Sequence, residues 1–138
     1  MTPAQRLAES LDRIVMLHRH FSNVGAKVTI EGRTLVLETD INNYFIDISD
    51  EEPRFVTMQA VYVVDSGDYA RATLICALAS ERCYGAKAIA RREGNGYRLY
   101  FSVQLVAAEI SAFTSVVGLY QAMIEDCREA YLNIAADA

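Results

Sequence analysis

The sequence predicts an α+β fold with the order helix, antiparallel meander, helix, β-hairpin, helix. Three observations predict it. Apolar residues recur at helical spacing through the last stretch, at Phe113, Val116, Val117, Tyr120, Met123, Ile124, Cys127, Tyr131 and Ile134. At about 100° per residue they share one helix face. From Val28 to Val64 apolar residues alternate with polar ones in short runs separated by turn formers, the pattern of half-buried strands. Asn95-Gly96 then sits between two further alternating runs, the strongest two-residue hairpin signal a sequence carries.

The chain has 138 residues, the size of one domain, and is read as a single domain over 1–138. Hydrophobic residues make up 52% and charged residues 22%, the reverse of the balance that gives disorder. The net charge of −5 weighs against nucleic acid, whose binders carry a basic surplus. No apolar run reaches the roughly 18 residues of a membrane helix. Arg6, Glu9, Asp12 and Arg13 interrupt any secretory signal, so a cytoplasmic protein is expected. Cys76, Cys83 and Cys127 are odd in number and form no C-x-x-C pair, as buried thiols in a reducing compartment would be.

The first helix is predicted from Pro3 to Phe21, with Thr2 as its cap, Leu7, Leu11, Ile14 and Phe21 as its stripe, and Gly25 beyond its end. Val28 and Ile30 begin the meander, Glu31-Gly32 turns it, and Leu35 and Leu37 continue it. After Asp40, Asn42 and Asn43, the residues Tyr44, Ile46 and Ile48 face one way and Asp47 and Ser49 the other. Asp50-Glu51-Glu52-Pro53 turns into the long run Phe55 to Val64. Asp68 is placed to cap a second helix over Tyr69 to Tyr84, with Gly85 as its stop. That helix is apolar nearly all round. Only Arg71, Glu81 and Arg82 form a polar edge, so it is expected to be covered on more than one side.

A hairpin turn at Asn95-Gly96 pairs Glu93 with Arg98, Ala90 with Phe101, Ala88 with Val103 and Ala86 with Leu105. A turn at Gly94-Asn95 keeps the same faces but sets Arg91 opposite Arg98, which is less favourable. Ser111 is read as the cap of the final helix, which is expected to lie over the small face of Ala86, Ala88 and Ala90.

No constellation in the sequence names a reaction. His18 and His20, two apart on a helix, point to different faces and cannot chelate one metal. His18 falls in the apolar stripe and His20 in solvent. None of the three cysteines has the cationic or helix-N-terminal setting of a nucleophile. The run Asp47, Asp50, Glu51, Glu52 lacks calcium-loop spacing and reads as a solvated turn. Gly94-Asn95-Gly96 lies inside a hairpin, with no following Lys-Ser/Thr, so it is no phosphate loop. Lys87, Arg91, Arg98 and Tyr100 form a strip that reads as a solvated sheet face. No catalytic residue, cofactor or metal is therefore expected.

The order of elements resembles the type III secretion chaperone-like fold and, within it, the YbjN-type family. The resemblance runs from about Leu11 to Tyr131. It rests on Leu74-Ile75-Cys76-Ala77-Leu78-Ala79-Ser80-Glu81, the strand Ala86–Arg91, the hairpin at Gly94-Asn95-Gly96, the strand Tyr97–Leu105 and the final amphipathic helix. Ser80-Glu81 departs from the pattern, since YbjN-type sequences often carry Asn near the end of this helix. The resemblance implies a small, acidic, non-enzymatic homodimer. Its role would be that of a chaperone holding a protein client, or of a regulator of sensory transduction, motility or stress.

The interface expected on this reading uses the second helix and the hairpin, at Leu74, Ile75, Leu78, Arg82, Ile89 and Tyr100. Neither nucleic acid nor membrane is expected as partner. The alternative is a small-molecule-binding domain or enzyme with a pocket between the sheet and the first and last helices. The eight tyrosines and His18 suggest it.

Overall fold

Thr2 opens the first helix with a complete capping box. Its hydroxyl oxygen accepts from the Gln5 N–H at 3.1 Å, and Gln5 Oε1 accepts from the Thr2 N–H at 2.8 Å. Two donors that no helical carbonyl can reach are thereby satisfied. The computed structural model describes residues 1–137. Its elements are α1 (Pro3–Asn23), β1 (Lys27–Glu31), β2 (Thr34–Glu38), β3 (Asn43–Ile48), β4 (Phe55–Val64), α2 (Tyr69–Arg82), β5 (Lys87–Glu93), β6 (Gly96–Val106), α3 (Ile110–Thr114) and α4 (Val117–Asp137). The strands form one sheet in the order β1-β2-β3-β4-β6-β5. This is the predicted α+β fold, with four strands in the meander. The chain divides into two compact units, Met1–Met58 with Gln104–Gly118, and Gln59–Val103 with Leu119–Ala138.

In the first unit, β2 pairs antiparallel with β1 and with β3, setting Leu35 opposite Ile46 and Leu37 opposite Tyr44. These four side chains are buried with Ile14, Leu17 and Phe21 of α1. The predicted stripe of α1 is rotated. Leu7 and Leu11 are exposed, while Ser10 and Leu17 are fully buried. A polar residue is admitted because Ser10 Oγ donates to the Ile48 carbonyl at 3.2 Å. Arg13 ties α1 to the chain after β6, donating to the Ala107 and Ala108 carbonyls at 2.8 and 2.6 Å.

In the second unit, Asp68 caps α2 by accepting from the Arg71 N–H at 3.1 Å. Gly85 follows at φ +82°, a conformation only glycine adopts without strain. Ser80 Oγ accepts from the Ala88 N–H at 2.9 Å, which places α2 against β5. The small side chains of Ala88 and Ala90 allow this approach. α2 thus lies against β5. α4 meets β6 through an edge-to-face contact of Tyr131 with Phe101 at 5.8 Å.

The final helical stretch is broken. α3 ends at Thr114 and α4 starts at Val117, and Ser111 lies inside α3 rather than capping the long helix. The hydroxyls of Thr114 and Ser115 donate back to the Ser111 and Ala112 carbonyls at 3.1 and 3.0 Å, a local pattern that competes with continued helix.

The hairpin takes the register judged less favourable from the sequence. Glu93 pairs with Gly96, Ala88 with Phe101, and Arg91 with Arg98. The two turn residues are Gly94 and Asn95, with Gly94 at φ +59°, the glycine-first pattern of a type II′ turn. The Arg91–Arg98 juxtaposition is relieved on both sides. Arg98 forms an ion pair with Glu93, and the Arg91 guanidinium lies 5.7 Å from the Tyr100 ring centroid.

Candidate interaction surfaces

Helical periodicity gives α2 two opposed rows. Ala72, Ile75, Cys76 and Ala79 are buried, and Ile75 is only 2% exposed. Leu74 and Leu78, one turn apart, point outward at 62% and 38% exposure, with Arg82 exposed a further turn along. Two leucines on an open ridge leave apolar area in water that association would remove, at about 25 cal/mol per Å².

Residues alternate across a strand, so the side of β5 that carries Ala88 and Ala90 toward α2 turns Ile89 the opposite way. Ile89 is 45% exposed and pairs across the ladder with the half-buried Tyr100. The six expected interface residues therefore fall into three groups. Leu74, Leu78 and Arg82 share the outward ridge of α2. Ile89 and Tyr100 share the uncovered side of the hairpin, with Arg91 over the tyrosine ring. Ile75 belongs to the core of its unit and reaches neither surface, because it lies about 100° around the helix from Leu74.

The first unit carries a groove of about 510 Å³ that the sequence did not reveal. It is lined by strand ends, with Phe55, Val106 and Leu105 as apolar walls and Asp47, Ser49 and Gln104 as polar ones. Its residues come from the neighbouring ends of β3 and β4 and from the end of β6, some fifty residues further on, so only the strand order brings the last of them to the others. Asp47 accepts from the Thr34 hydroxyl at 2.6 Å. The predicted pocket against the first and last helices is not where this groove lies. His18 is half-buried on α1 and outside the groove lining.

The acidic turn beside the groove is internally paired. Arg33 holds the Asp50 carboxyl below its ordinary range through a 2.9 Å ion pair. Arg54 bonds to Glu52 at 2.8 Å and lowers its pKa to about 2. A smaller recess of about 300 Å³ lies in the second unit beside Tyr69, Arg92 and Gly94–Gly96, with the Arg92 guanidinium 4.9 Å from the Tyr69 ring. Among the described residues no cluster of three or more His, Cys, Asp or Glu has the arrangement to hold a metal ion. No described helix is long and apolar enough to cross a membrane.

These elements and surfaces define a class: an α+β chain in which helix, meander, helix, hairpin and helix build one six-stranded sheet. Within that class the chain is similar to YbjN from E. coli, described as a proposed transcription regulator. The two structures align with a TM-score of 0.68 at 15% identity, over 90% of this chain and 92% of YbjN. At that identity the likeness is one of fold, and it is the fold the sequence resemblance implied. No protein-family model matches the chain, and no curated protein sequence does.

Proposed function

We propose that this chain is a non-enzymatic protein-binding module, a cytoplasmic homodimer with a chaperone-like or regulatory role. The observation that carries this reading is the outward ridge of α2. Leu74 and Leu78 stand in solvent on a helix whose other row is sealed in the core. Apolar residues presented together on a rigid helix are the usual material of a partner interface. The fold likeness to a protein described as a proposed transcription regulator supports a regulatory or binding role.

The experiment is light scattering across a concentration series, on the parent chain and on Leu74→Asp and Leu78→Asp. A dimer that both charged variants dissociate, with circular dichroism unchanged, is the expected result. A parent chain that stays monomeric at high concentration overturns the homodimer. A dimer indifferent to both substitutions moves the interface off α2.

The small-molecule alternative attaches to the 510 Å³ groove, a volume within the range of ligand sites. Ligand-induced thermal stabilisation that Phe55→Ala abolishes would favour it.

A further inference from the structure

The outer strands of the sheet are β1 and β5, and their free edges differ. Along β5 and the residue before it, side chains from α2 and its end occupy the outward backbone groups. The Cys83 thiol donates to the Ala86 carbonyl at 3.3 Å. Ser80 Oγ accepts from the Ala88 N–H at 2.9 Å and donates to the Ala88 carbonyl at 3.3 Å. The Tyr69 hydroxyl donates to the Ala90 carbonyl at 3.3 Å. An edge covered in this way is closed to a further strand.

β1 has no such cover. The two-residue turn Gly32-Arg33 makes Glu31 and Thr34 a hydrogen-bonded pair, and the ladder alternates from there. Lys27, Thr29 and Glu31 therefore bond to β2, while Val28 and Ile30 turn their N–H and C=O groups outward. No described group bonds to them. Such an edge is a template for another strand.

The sequence of β1 fits a second copy of itself. Lys27-Val28-Thr29-Ile30-Glu31 laid against its own reverse sets Lys27 opposite Glu31, Val28 opposite Ile30 and Thr29 opposite Thr29. In that register the outward groups of Val28 meet those of Ile30 of the second copy, around a two-fold axis at Thr29. Opposite charges meet at both ends. Lys27 is exposed, and its 3.1 Å ion pair with Glu38 leaves ammonium donors for a second carboxylate. A shift by two residues loses both Lys–Glu pairs, and parallel pairing sets like charge against like.

α1 supplies a second apolar surface on the same side. It packs on β1, β2 and β3. On one flank Arg13 reaches the Ala107 and Ala108 carbonyls after β6. Leu11 and Val15, each two residues from Arg13, lie on the opposite flank, toward the β1 edge, and both are exposed. Ile30, also exposed, shares the α1 side of the sheet with Leu35. A copy joined at β1 brings its own α1 alongside and removes this apolar flank from water.

We propose that β1 is a self-pairing edge, at which two copies of the chain join antiparallel in the Lys27–Glu31 register to make one continuous sheet. The interface shares no residue with the α2 ridge.

The test is disulfide trapping in the full-length chain carrying Cys83→Ser, since Cys76 and Cys127 are buried. Thr29→Cys puts a thiol on the two-fold axis, at a pair whose Cα atoms lie about 4.5 Å apart, within reach of a disulfide. Mild oxidation should give a linked dimer. Trypsin without reductant, cutting after Lys27 and Arg33, should release Val28–Arg33 joined to its own copy. Glu31→Cys, facing Lys27 of the second copy, should not link. The Thr29→Cys link should persist when Leu74→Asp and Leu78→Asp are added, which scores it apart from any α2 dimer. In that charged-α2 background without new cysteines, sedimentation should show Glu31→Lys weakening association roughly tenfold, and added Lys27→Glu restoring it. Thr29→Cys linking no faster than Glu31→Cys overturns the proposal, as does a link lost on charging α2. So does association indifferent to Glu31→Lys, or an extended peptide of another protein captured along β1 in place of a second copy.

Discussion

Gly96 lies so close to the Val64 carbonyl oxygen that a β-carbon at position 96 would fall inside the oxygen's van der Waals surface and against the Asp65 backbone. Both obstacles are main chain and cannot swing aside as a flexible side chain would. Gly96 is therefore a close-approach glycine at the first position of β6, whereas Gly94 at φ +59° supplies the turn.

Gly96→Ala should consequently lower stability by about 2 kcal/mol or more, the range of an overpacked site that must shift backbone. Gly118→Ala is the control. Nothing lies within 4 Å of a β-carbon there, and the residue is in the first turn of α4. That variant should gain about 0.5 kcal/mol through the unfolded chain's lost freedom. Urea denaturation of the two variants measures both, and equal effects would contradict the assignment.

The same glycine explains what the sequence could and could not convey. The pattern Gly94-Asn95-Gly96 announced a hairpin, and the hairpin is there. It did not say which glycine makes the turn, because that depends on Val64, some thirty residues away. Alternation in β2 and β3 showed the core side chains Leu35, Leu37, Tyr44 and Ile46, since period two is local. The rotation of α1 was hidden because it depends on Ser10 finding the Ile48 carbonyl. On α2 the apolar wrap was legible. Which row faces inward was not, since Leu74 and Ile75 are equally apolar and only packing separates them. The groove at Phe55 and Val106 left no trace in local pattern.

Ile75→Ala and Leu74→Ala should separate the two rows of α2. The buried Ile75 leaves a cavity when truncated, with a loss of about 2–4 kcal/mol. Leu74, largely exposed, should change monomer stability by no more than about 0.5 kcal/mol. Thermal or urea unfolding below the association concentration distinguishes them.

Ser10→Ala should destabilise by about 1–2 kcal/mol, because the Ile48 carbonyl would stay buried without its 3.2 Å donor. Ser80→Ala should cost a similar amount, since Ser80 Oγ is the acceptor for the Ala88 N–H at 2.9 Å. Amide exchange at Ala88 should quicken in the second variant and not in the first, which identifies the donor released.

Glu52 gives a pH dependence with a definite sign. Arg54 lowers its folded-state pKa from 4.5 to about 2, so the folded chain holds this carboxyl ionised where the unfolded chain already binds a proton. The stabilisation is fully present above pH 4.5 and is lost as pH falls toward 2. The pair is solvent-exposed, so added salt should shrink the effect. Carbon-detected NMR titration of the Glu52 carboxyl is the direct measurement. Its midpoint should lie near 2 in the parent chain and return toward the ordinary glutamate value in Arg54→Met. A parent midpoint already near 4.5 would show that the Arg54 contact does not persist in solution.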